Sequence, residues 1–318
     1  MSDLKLKIGT REISHSYPPY IIAEMSGNHN GDLGRAIELV EAAAAAGADA
    51  CKLQTYTADT ITIPHNGEGF SIDEGLWAGQ TLHDLYQSAY TPWEWHEPLF
   101  KKAQELGIAM FSSVFDETAV DFLTELDAPA YKIASFEAVD IPLINYAAST
   151  GKPLIISTGM ADIEEIEEAV DAAHSGGCKE LAILHCVSSY PASPKDYNLR
   201  TIKDMIDRFG LVAGISDHTL DNTTAITSIA MGASIIEKHF TLDRDGGGPD
   251  DSFSLEPADL SELCVGSMIA WEAIGKVDYE IKHSEKGNLK YRRSLYYVKD
   301  LKEIFQERDK FLFANHIV

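Results

Sequence analysis

Short, continuously apolar runs recur along this chain, separated by longer segments whose apolar residues fall three and four positions apart. The runs open with Tyr20-Ile-Ile-Ala-Glu24 and Ala50-Cys-Lys-Leu-Gln54, then Ile108 to Ser113 and Ala130 to Ser135. Pro153 to Ser157 and Leu181 to His185 follow, and the set closes with Val212-Ala-Gly-Ile-Ser-Asp-His218 and Ser234-Ile-Ile-Glu-Lys-His239. Apolar runs without alternation belong to strands covered on both faces, as in parallel sheets. The segments between them read as helices. Gly31 to Ala46 puts Ala36, Ile37, Val40, Ala43 and Ala44 on one stripe and stops at Gly47. Asp162 with Glu165 three residues on opens a helix carrying Ile163, Ile166, Val170 and Ala173. A last amphipathic helix runs from Pro257 to Ile274.

Two stretches break the rhythm. Residues 56–90, with Pro64, Gly67, Gly69, Gly75 and Gly79, read as a long irregular insertion, and insertions of that length inside a compact domain are often functional. It ends at Thr91-Pro-Trp-Glu94, which predicts a helix capped by Thr91. After Gly275 the pattern stops: 279–293 reads as a polar linker, and Ser294-Leu-Tyr-Tyr-Val298 as a new strand. The chain then runs only to Val318, too short a piece to bury a core of its own.

Strands and helices that alternate this strictly build either a closed (β/α)8 TIM barrel or a doubly wound sheet, both of the α/β class. Eight units lie between Tyr20 and Ile274, and a barrel takes roughly 250 residues. No G-x-G-x-x-G and no phosphate-loop motif is present, which disfavours a nucleotide-binding sheet. The expected organisation is a barrel over 1–278, a linker over 279–293 and the start of a small domain over 294–318.

Charge and composition narrow the partners. Lys and Arg number 26 against 50 Asp and Glu, a formal charge of −24. Nucleic acid and anionic membrane are therefore not expected ligands, since either needs a basic face. The four cysteines at 51, 178, 186 and 264 are scattered, as expected of free thiols in a reducing compartment. With no apolar run of about 18 residues and no leader, a soluble cytoplasmic protein is expected.

In a barrel, chemistry gathers at the C-terminal strand ends. These ends hold Glu24, Lys52 with Gln54, Ser112 with Ser113, Lys132 with Ser135, Ser157, His185, Ser216 with Asp217 and His218, and Lys238 with His239. Lysine is almost never buried without a partner, so Lys52 and Lys132 inside apolar strands predict an anion site for phosphate and carboxylate. Ser135, Ser157 and Ser216 are hydroxyl donors to it. His218 and His239 end neighbouring parallel strands, where two imidazoles beside Glu24 suit Mn²⁺, Fe²⁺, Co²⁺ or Zn²⁺ better than Mg²⁺. His185, flanked by Leu184 and Cys186, reads as a core residue and stays outside the ligand set. Asp217 reads as a helix cap or a partner behind the ligands, and Asp250, after three glycines, reaches the mouth.

At this point the motifs become a resemblance. Ile22-Ala-Glu-Met-Ser-Gly-Asn-His-Asn-Gly31, Lys132-Ile-Ala-Ser135, Ser157-Thr-Gly-Met160, Ser189-Tyr-Pro191, Ser216-Asp-His-Thr219, Glu237-Lys-His-Phe240 and Gly248-Pro-Asp250 resemble the sialic-acid synthase family over residues 8–298. That family condenses phosphoenolpyruvate with an amino-hexose. Thr81-Leu-His-Asp-Leu-Tyr86, Thr91-Pro-Trp-Glu-Trp-His96 and Ser252-Phe-Ser-Leu-Glu-Pro257 are most similar to its pseudaminic acid branch, which uses 2,4-diacetamido-2,4,6-trideoxy-L-altrose. N-acetylneuraminic and legionaminic acid synthesis are the neighbouring alternatives, and a non-catalytic sugar-phosphate-binding barrel is the rival of another class.

The resemblance implies a divalent metal, Mn²⁺ first with Mg²⁺ or Co²⁺ as alternatives, on His218 and His239. It implies phosphoenolpyruvate on Lys52, Ser113, Lys132, Ser135, Ser157, Ser188 and Ser216, although relatives commonly carry Asn at the position of Ser188. Glu24, Gln54, Tyr190 and Asp250 would face the sugar, with Glu24 as the group that steers protons. It also implies a domain-swapped homodimer, in which an antifreeze-like C-terminal domain lends an Arg to the partner's sugar site. Ser294 to Val318 resembles only the beginning of that domain.

Overall fold

A computed structural model describes residues 4–296. Eight parallel strands close into a barrel in the order β10-β3-β4-β5-β6-β7-β8-β9. The strands are β3 (Tyr20–Glu24), β4 (Ala50–Thr55), β5 (Ala109–Val114), β6 (Tyr131–Ile133), β7 (Leu154–Ser157), β8 (Leu181–Cys186), β9 (Val212–Ser216) and β10 (Ile235–His239). They are preceded by an antiparallel hairpin, β1 (Leu6–Ile8) with β2 (Arg11–Ile13). The (β/α)8 architecture is the one expected from the apolar runs.

Helices α1 (Leu33–Ala46), α2 (Ala58–Ile61), α3 (Leu82–Ala89), α4 (His96–Leu106) and α5 (Glu117–Glu125) cover the first half. Helices α6 (Ile141–Ser149), α7 (Ile163–Ser175), α8 (Arg200–Phe209), α9 (Thr223–Ala230) and α10 (Pro257–Ile274) cover the second. Local chemistry sets their ends. Asp32 accepts from the Arg35 amide at the start of α1, and Gly47 at φ +96° closes it. Asp162 and Glu165 cap α7 reciprocally, as their spacing predicts. No helix among the described residues is long and apolar enough to cross a membrane.

Strand parity divides the apolar residues between two cores. One set, including Ala23, Cys51, Leu53, Ile133 and Ile156, points outward under the helices. The other, Tyr20, Ile22, Phe111, Ile155, Leu184 and Ile235 among it, fills the barrel together with Leu6, Ile8 and Ile13 from the hairpin. The hairpin thus plugs the N-terminal end, leaving only the opposite end for polar groups. Gly214 on β9 leaves space inside: a Cβ there would lie 2.3 Å from the Ile235 carbonyl oxygen and 2.7 Å from Leu184.

The structure departs from the sequence reading in several places. The hairpin was not anticipated, although Leu6, Ile8 and Ile13 alternate with polar neighbours around Gly9-Thr10. The insertion over 56–90 contains α2 and α3 rather than being irregular throughout. Thr91 does not cap a helix: its hydroxyl meets His29 Nε2 at 3.3 Å, and a 3-10 turn, Trp93–Trp95, intervenes before α4. The chain divides into two compact units after Ile274. In the second, the expected linker contains a 3-10 helix, His283–Tyr291, whose Glu285 accepts from the Lys282 amide at 2.8 Å. Residues 294–296 carry no regular structure, and the rest of the predicted strand and terminal domain lies outside the described residues.

Two core histidines make stability depend on pH. His29 and His96 are fully buried, and burial pushes both imidazoles down to about 4. An unfolded chain protonates them near pH 6.5, so between 6.5 and 4 it binds protons that the folded chain does not. Stability from these groups is present above pH 6.5 and is lost as pH falls, by roughly 3 kcal/mol each at pH 4. Denaturant midpoints should drop steeply over that window, and His96→Asn should flatten the slope. An unchanged slope in the variant would contradict the assignment.

Candidate active site

Period-two alternation along the strands turns Glu24, Lys52, Gln54, Ser113, Lys132, Ser157, Ser216, Glu237 and His239 toward the barrel axis. Register brings them level: Glu24 pairs with both His239 and Lys52, and Ser113 with both Gln54 and Lys132. Below this layer lie the apolar residues of the barrel interior.

The two lysines are buried, at 3% and 2% exposure, yet neither stands alone. Lys52 Nζ is ion-paired with the Glu24 carboxylate and donates to Ser113 Oγ at 2.8 Å. Lys132 Nζ lies 3.2 Å from Glu237 Oε1, and Lys52 Nζ lies 3.9 Å from the same oxygen. Ser216 Oγ donates to it as well, at 3.3 Å, while Gln54 Nε2 donates to Glu24 Oε1 at 3.0 Å. The partners that the sequence assigned to a ligand are therefore supplied first by Glu24 and Glu237.

The environment separates the two carboxylates. Burial raises Glu24 above the ordinary carboxylate range, and Lys52 offsets only part of that. Burial acts on Glu237 too, but the ammoniums of Lys132 and Lys52 outweigh it and hold the group below its usual value. One carboxyl is thus poised to carry a proton near neutrality, and the other stays ionised. Such a split is how one site holds both an acid and a counter-charge. Burial also lowers Lys132, only partly opposed by Glu237.

At the rim, the imidazoles of His218 and His239 face each other with ring centroids 5.4 Å apart. The Tyr190 ring lies 4.4 Å from His218 and 6.0 Å from His239, and Phe253 lies 5.0 Å from His239. Asp250 Oδ2 is 3.7 Å from His239 Nδ1 and accepts from Ser26 Oγ. Burial raises Asp250 to about 6, with the Ser26 bond opposing. Burial, and next the neighbouring His218, keep His239 neutral well below its usual range. His218 is raised instead: burial pushes it down, but the Cys186 sulfur and the Val187 carbonyl pull it up further.

Outside the strands, a second set of contacts fixes His218. The Tyr197 hydroxyl accepts from the His218 amide at 2.7 Å and donates to the Ser216 carbonyl at 3.1 Å. Lys238 Nζ donates to Asp217 Oδ2 at 2.9 Å, to the Thr219 carbonyl at 2.7 Å and to the Asp221 carbonyl at 3.0 Å. Lys238 therefore turns away from the mouth, contrary to the expectation for strand ends, while Asp217 sits behind the ligands as its sequence position suggests. Ser112 also points outward, to Thr55 at 2.6 Å, and His185 is bonded to the Tyr197 carbonyl. Strand parity is the reason in each case.

The remaining predicted residues gather on one side. Ser135 Oγ lies 3.2 Å from Cys186 Sγ, and Ser188 Oγ lies 4.0 Å from that sulfur. Gly159, at φ +48°, approaches both hydroxyls so closely that a Cβ would lie 2.8 Å from each. Ser157 Oγ is buried without a protein partner. Two residues escaped the sequence reading. Glu237 lies within the Glu237-Lys-His-Phe240 motif with no role of its own there, though it shares parity with His239. Glu137, two residues past Ser135, has a buried, unpartnered Oε2 and is raised by burial to about 7, with Lys132 opposing.

These donors fit a divalent ion. His218 Nδ1 is committed to the Val187 carbonyl at 2.8 Å, which leaves Nε2 for coordination, and His239 Nδ1 is buried without a hydrogen-bond partner. Metal binding requires the deprotonated imidazole, so His218 would have to be neutral to serve as a ligand. Among the described residues no group of three or more His, Cys, Asp or Glu side chains converges as a cage, so the two imidazoles would be the protein's whole share of such a site.

The NeuB family model matches residues 39–279. Pseudaminic acid synthase of Campylobacter jejuni is 40% identical over 292 residues, 91% of this chain and 85% of that protein. N,N'-diacetyllegionaminic acid synthase of Legionella pneumophila is 39% identical over 259 residues, 80% of this chain and 73% of that protein. The crystal structure of an N-acetylneuraminic acid synthetase from Leptospira borgpetersenii superposes with a TM-score of 0.81 at 31% identity, covering 91% of this chain and 96% of that one.

Glu237→Gln tests the charge layer. Removing one partner of a buried ion pair costs about 3–5 kcal/mol, because the other charges stay behind. The variant should unfold at lower denaturant, and inorganic phosphate should stabilise it more than it stabilises the wild type, by replacing the missing negative charge. A smaller phosphate-induced rise in melting temperature than in the wild type would contradict the layer's role.

Proposed function

Since the chain belongs to the NeuB family of phosphoenolpyruvate-dependent nonulosonic acid synthases, we propose that it makes pseudaminic acid. Its acceptor in this reading is the open-chain form of 2,4-diacetamido-2,4,6-trideoxy-L-altrose. The observation that carries the reading is the meeting of two sets at the strand ends: a buried Lys52–Glu24–Glu237–Lys132 set, and beside it the facing imidazoles of His218 and His239. The charged set suits an anionic donor and the imidazoles an aldehyde. The 40% identity to the Campylobacter jejuni enzyme supports the pseudaminic branch. A second reading, the same chemistry on a legionaminic precursor, is favoured by the 39% identity to the Legionella pneumophila enzyme.

In the reaction, C3 of phosphoenolpyruvate bonds to the aldehyde carbon, water adds at C2, and the C2–O bond to phosphate breaks to release inorganic phosphate. Lys52 and Lys132 neutralise the donor's phosphate and carboxylate, while the hydroxyls of Ser113, Ser135, Ser157, Ser188 and Ser216 donate to its oxygens. As the anion takes over Lys52, Glu24 loses its counter-charge and takes up a proton. Glu24 then exchanges that proton with the oxygens at C2 as water adds and phosphate leaves. Glu237 stays ionised and holds both ammoniums in place. Gln54, Tyr190 and Asp250 face the sugar. A divalent ion on His218 and His239, Mn²⁺ first with Co²⁺ or Mg²⁺ as alternatives, would supply Lewis-acid polarisation of the aldehyde oxygen.

Phosphate release with phosphoenolpyruvate and a panel of aminosugars tests the substrate. Turnover with the diacetamido-trideoxy-altrose should exceed that with N-acetylmannosamine or the legionaminic precursor, and the reverse order would reassign the acceptor. For the ion, chelation and desalting should abolish turnover and Mn²⁺ should restore it. His239→Ala should weaken Mn²⁺ affinity by about 100-fold or more, beyond the cost of losing an outer partner. Full activity of the chelated enzyme would refute the metal.

A further inference from the structure

The insertion between β4 and α4 carries a feature that the reaction scheme above leaves unused. Residues 70–72 and 80–82 pair as the legs of a hairpin, with a bridge between Ser71 and Thr81. The Ile72 amide donates to Gln80 at 2.9 Å, Gly79 to Ile72 at 2.8 Å and Leu82 to Phe70 at 2.8 Å. Gly75 and Gly79 bound the tip at φ +88° and +89°, a left-handed backbone that other residues enter only with strain. The side chains around the tip are exposed, but Trp77 between the two glycines is turned in.

Trp77 Nε1 donates to the Pro249 carbonyl at 2.8 Å, and its ring lies 5.8 Å from Tyr190. Tyr190 in turn lies 5.4 Å from Phe253 and against both rim imidazoles. Trp77 is therefore one ring removed from the histidine pair. Its anchor is firm: Pro249 packs on Gly27, where a Cβ would sit 2.7 Å from the proline ring, and the next residue, Asp250, is bonded to Ser26. With the indole N–H already satisfied, what Trp77 offers a ligand is its apolar face.

We propose that Trp77 is a specificity-determining residue, which with Tyr190 and Phe253 forms an apolar wall for the deoxygenated, acylated part of an acylamino-deoxy sugar. The inference rests on the reading above that such a sugar is the acceptor. A sugar extended from the imidazole pair toward the hairpin meets the faces of Trp77 and Phe253, which have no hydrogen bond to offer, and the ring of Tyr190, whose hydroxyl is the wall's one polar group. A methyl group gains against those two faces, while a hydroxyl there gives up water without a replacement. Differences of one small group in an apolar pocket are worth roughly 10–200-fold in kcat/KM.

The test compares wild type, Trp77→Ala and Trp77→Phe on a 6-deoxy and a 6-hydroxy acylamino-hexose at saturating phosphoenolpyruvate. Trp77→Ala should lose about 10-fold or more in kcat/KM for the 6-deoxy sugar, through KM, with KM for phosphoenolpyruvate within about twofold of wild type. The preference between the two sugars should shrink toward unity, and Trp77→Phe should fall between. An unchanged preference, or an equal rise in both KM values, would overturn the proposal, the latter pointing to a hairpin that only shapes the mouth. Indole fluorescence, titrated with the 6-deoxy sugar alone, separates this question from the reaction. A sugar-dependent change in wild type that is absent in Trp77→Phe supports the wall even if no acylamino sugar is turned over, in which case the reading of the reaction fails instead. No change in wild type overturns the wall.

Discussion

Glu237 is the group on which the interior of this barrel depends. Two ammonium groups inside a closed ring of strands would repel each other and lose their water. Each ion buried alone costs several kcal/mol. Glu237 stands within 3.2 Å of Lys132 and 3.9 Å of Lys52, and Glu24 completes the compensation at Lys52. The four charges balance, so the layer is tolerated in a protein whose formal charge is −24. The balance also makes the layer responsive. An arriving anion competes for the lysines with carboxylates already there, and Glu24, raised by burial, is the one that yields.

The outer faces of the same strands do a different job. Lys238 and Asp217 spend their charges on each other and on two carbonyls, which ties β10 to the turn that carries His218. Tyr197 holds the His218 amide and the Ser216 carbonyl with one hydroxyl. His218 is therefore held from behind by neutral and paired groups, and its other edge faces His239. Residues adjacent in sequence thus serve opposite sides: Glu237 and His239 the interior, Lys238 the scaffold.

That parity explains what was legible in the sequence. The eight apolar runs marked every barrel strand, because strands buried on both faces leave no other pattern. The lysines at 52 and 132 stood out for the same reason. Glu237 is masked in the sequence because the strand end presents a cluster of polar residues, although counting back two from His239 places Glu237 inside and Lys238 outside. Glu137 gave no signal, since a carboxylate in a 3-10 turn beside an exposed Phe136 looks like surface. Thr91 fits a cap motif, but such a motif describes only local options, and here the hydroxyl is taken by His29 from another part of the chain. Trp77 lay within a stretch rich in glycine, where nothing local tells which side chain turns inward.

The central claim, that an anionic donor displaces Glu24 from Lys52, is tested most directly by calorimetric titration of phosphoenolpyruvate in two buffers of different ionisation enthalpy. The displaced carboxyl loses its counter-charge in a buried site, so wild type should take up protons on binding, and Glu24→Gln should take up fewer. Equal proton linkage in the two proteins would contradict the exchange and leave Glu24 as a fixed partner of Lys52.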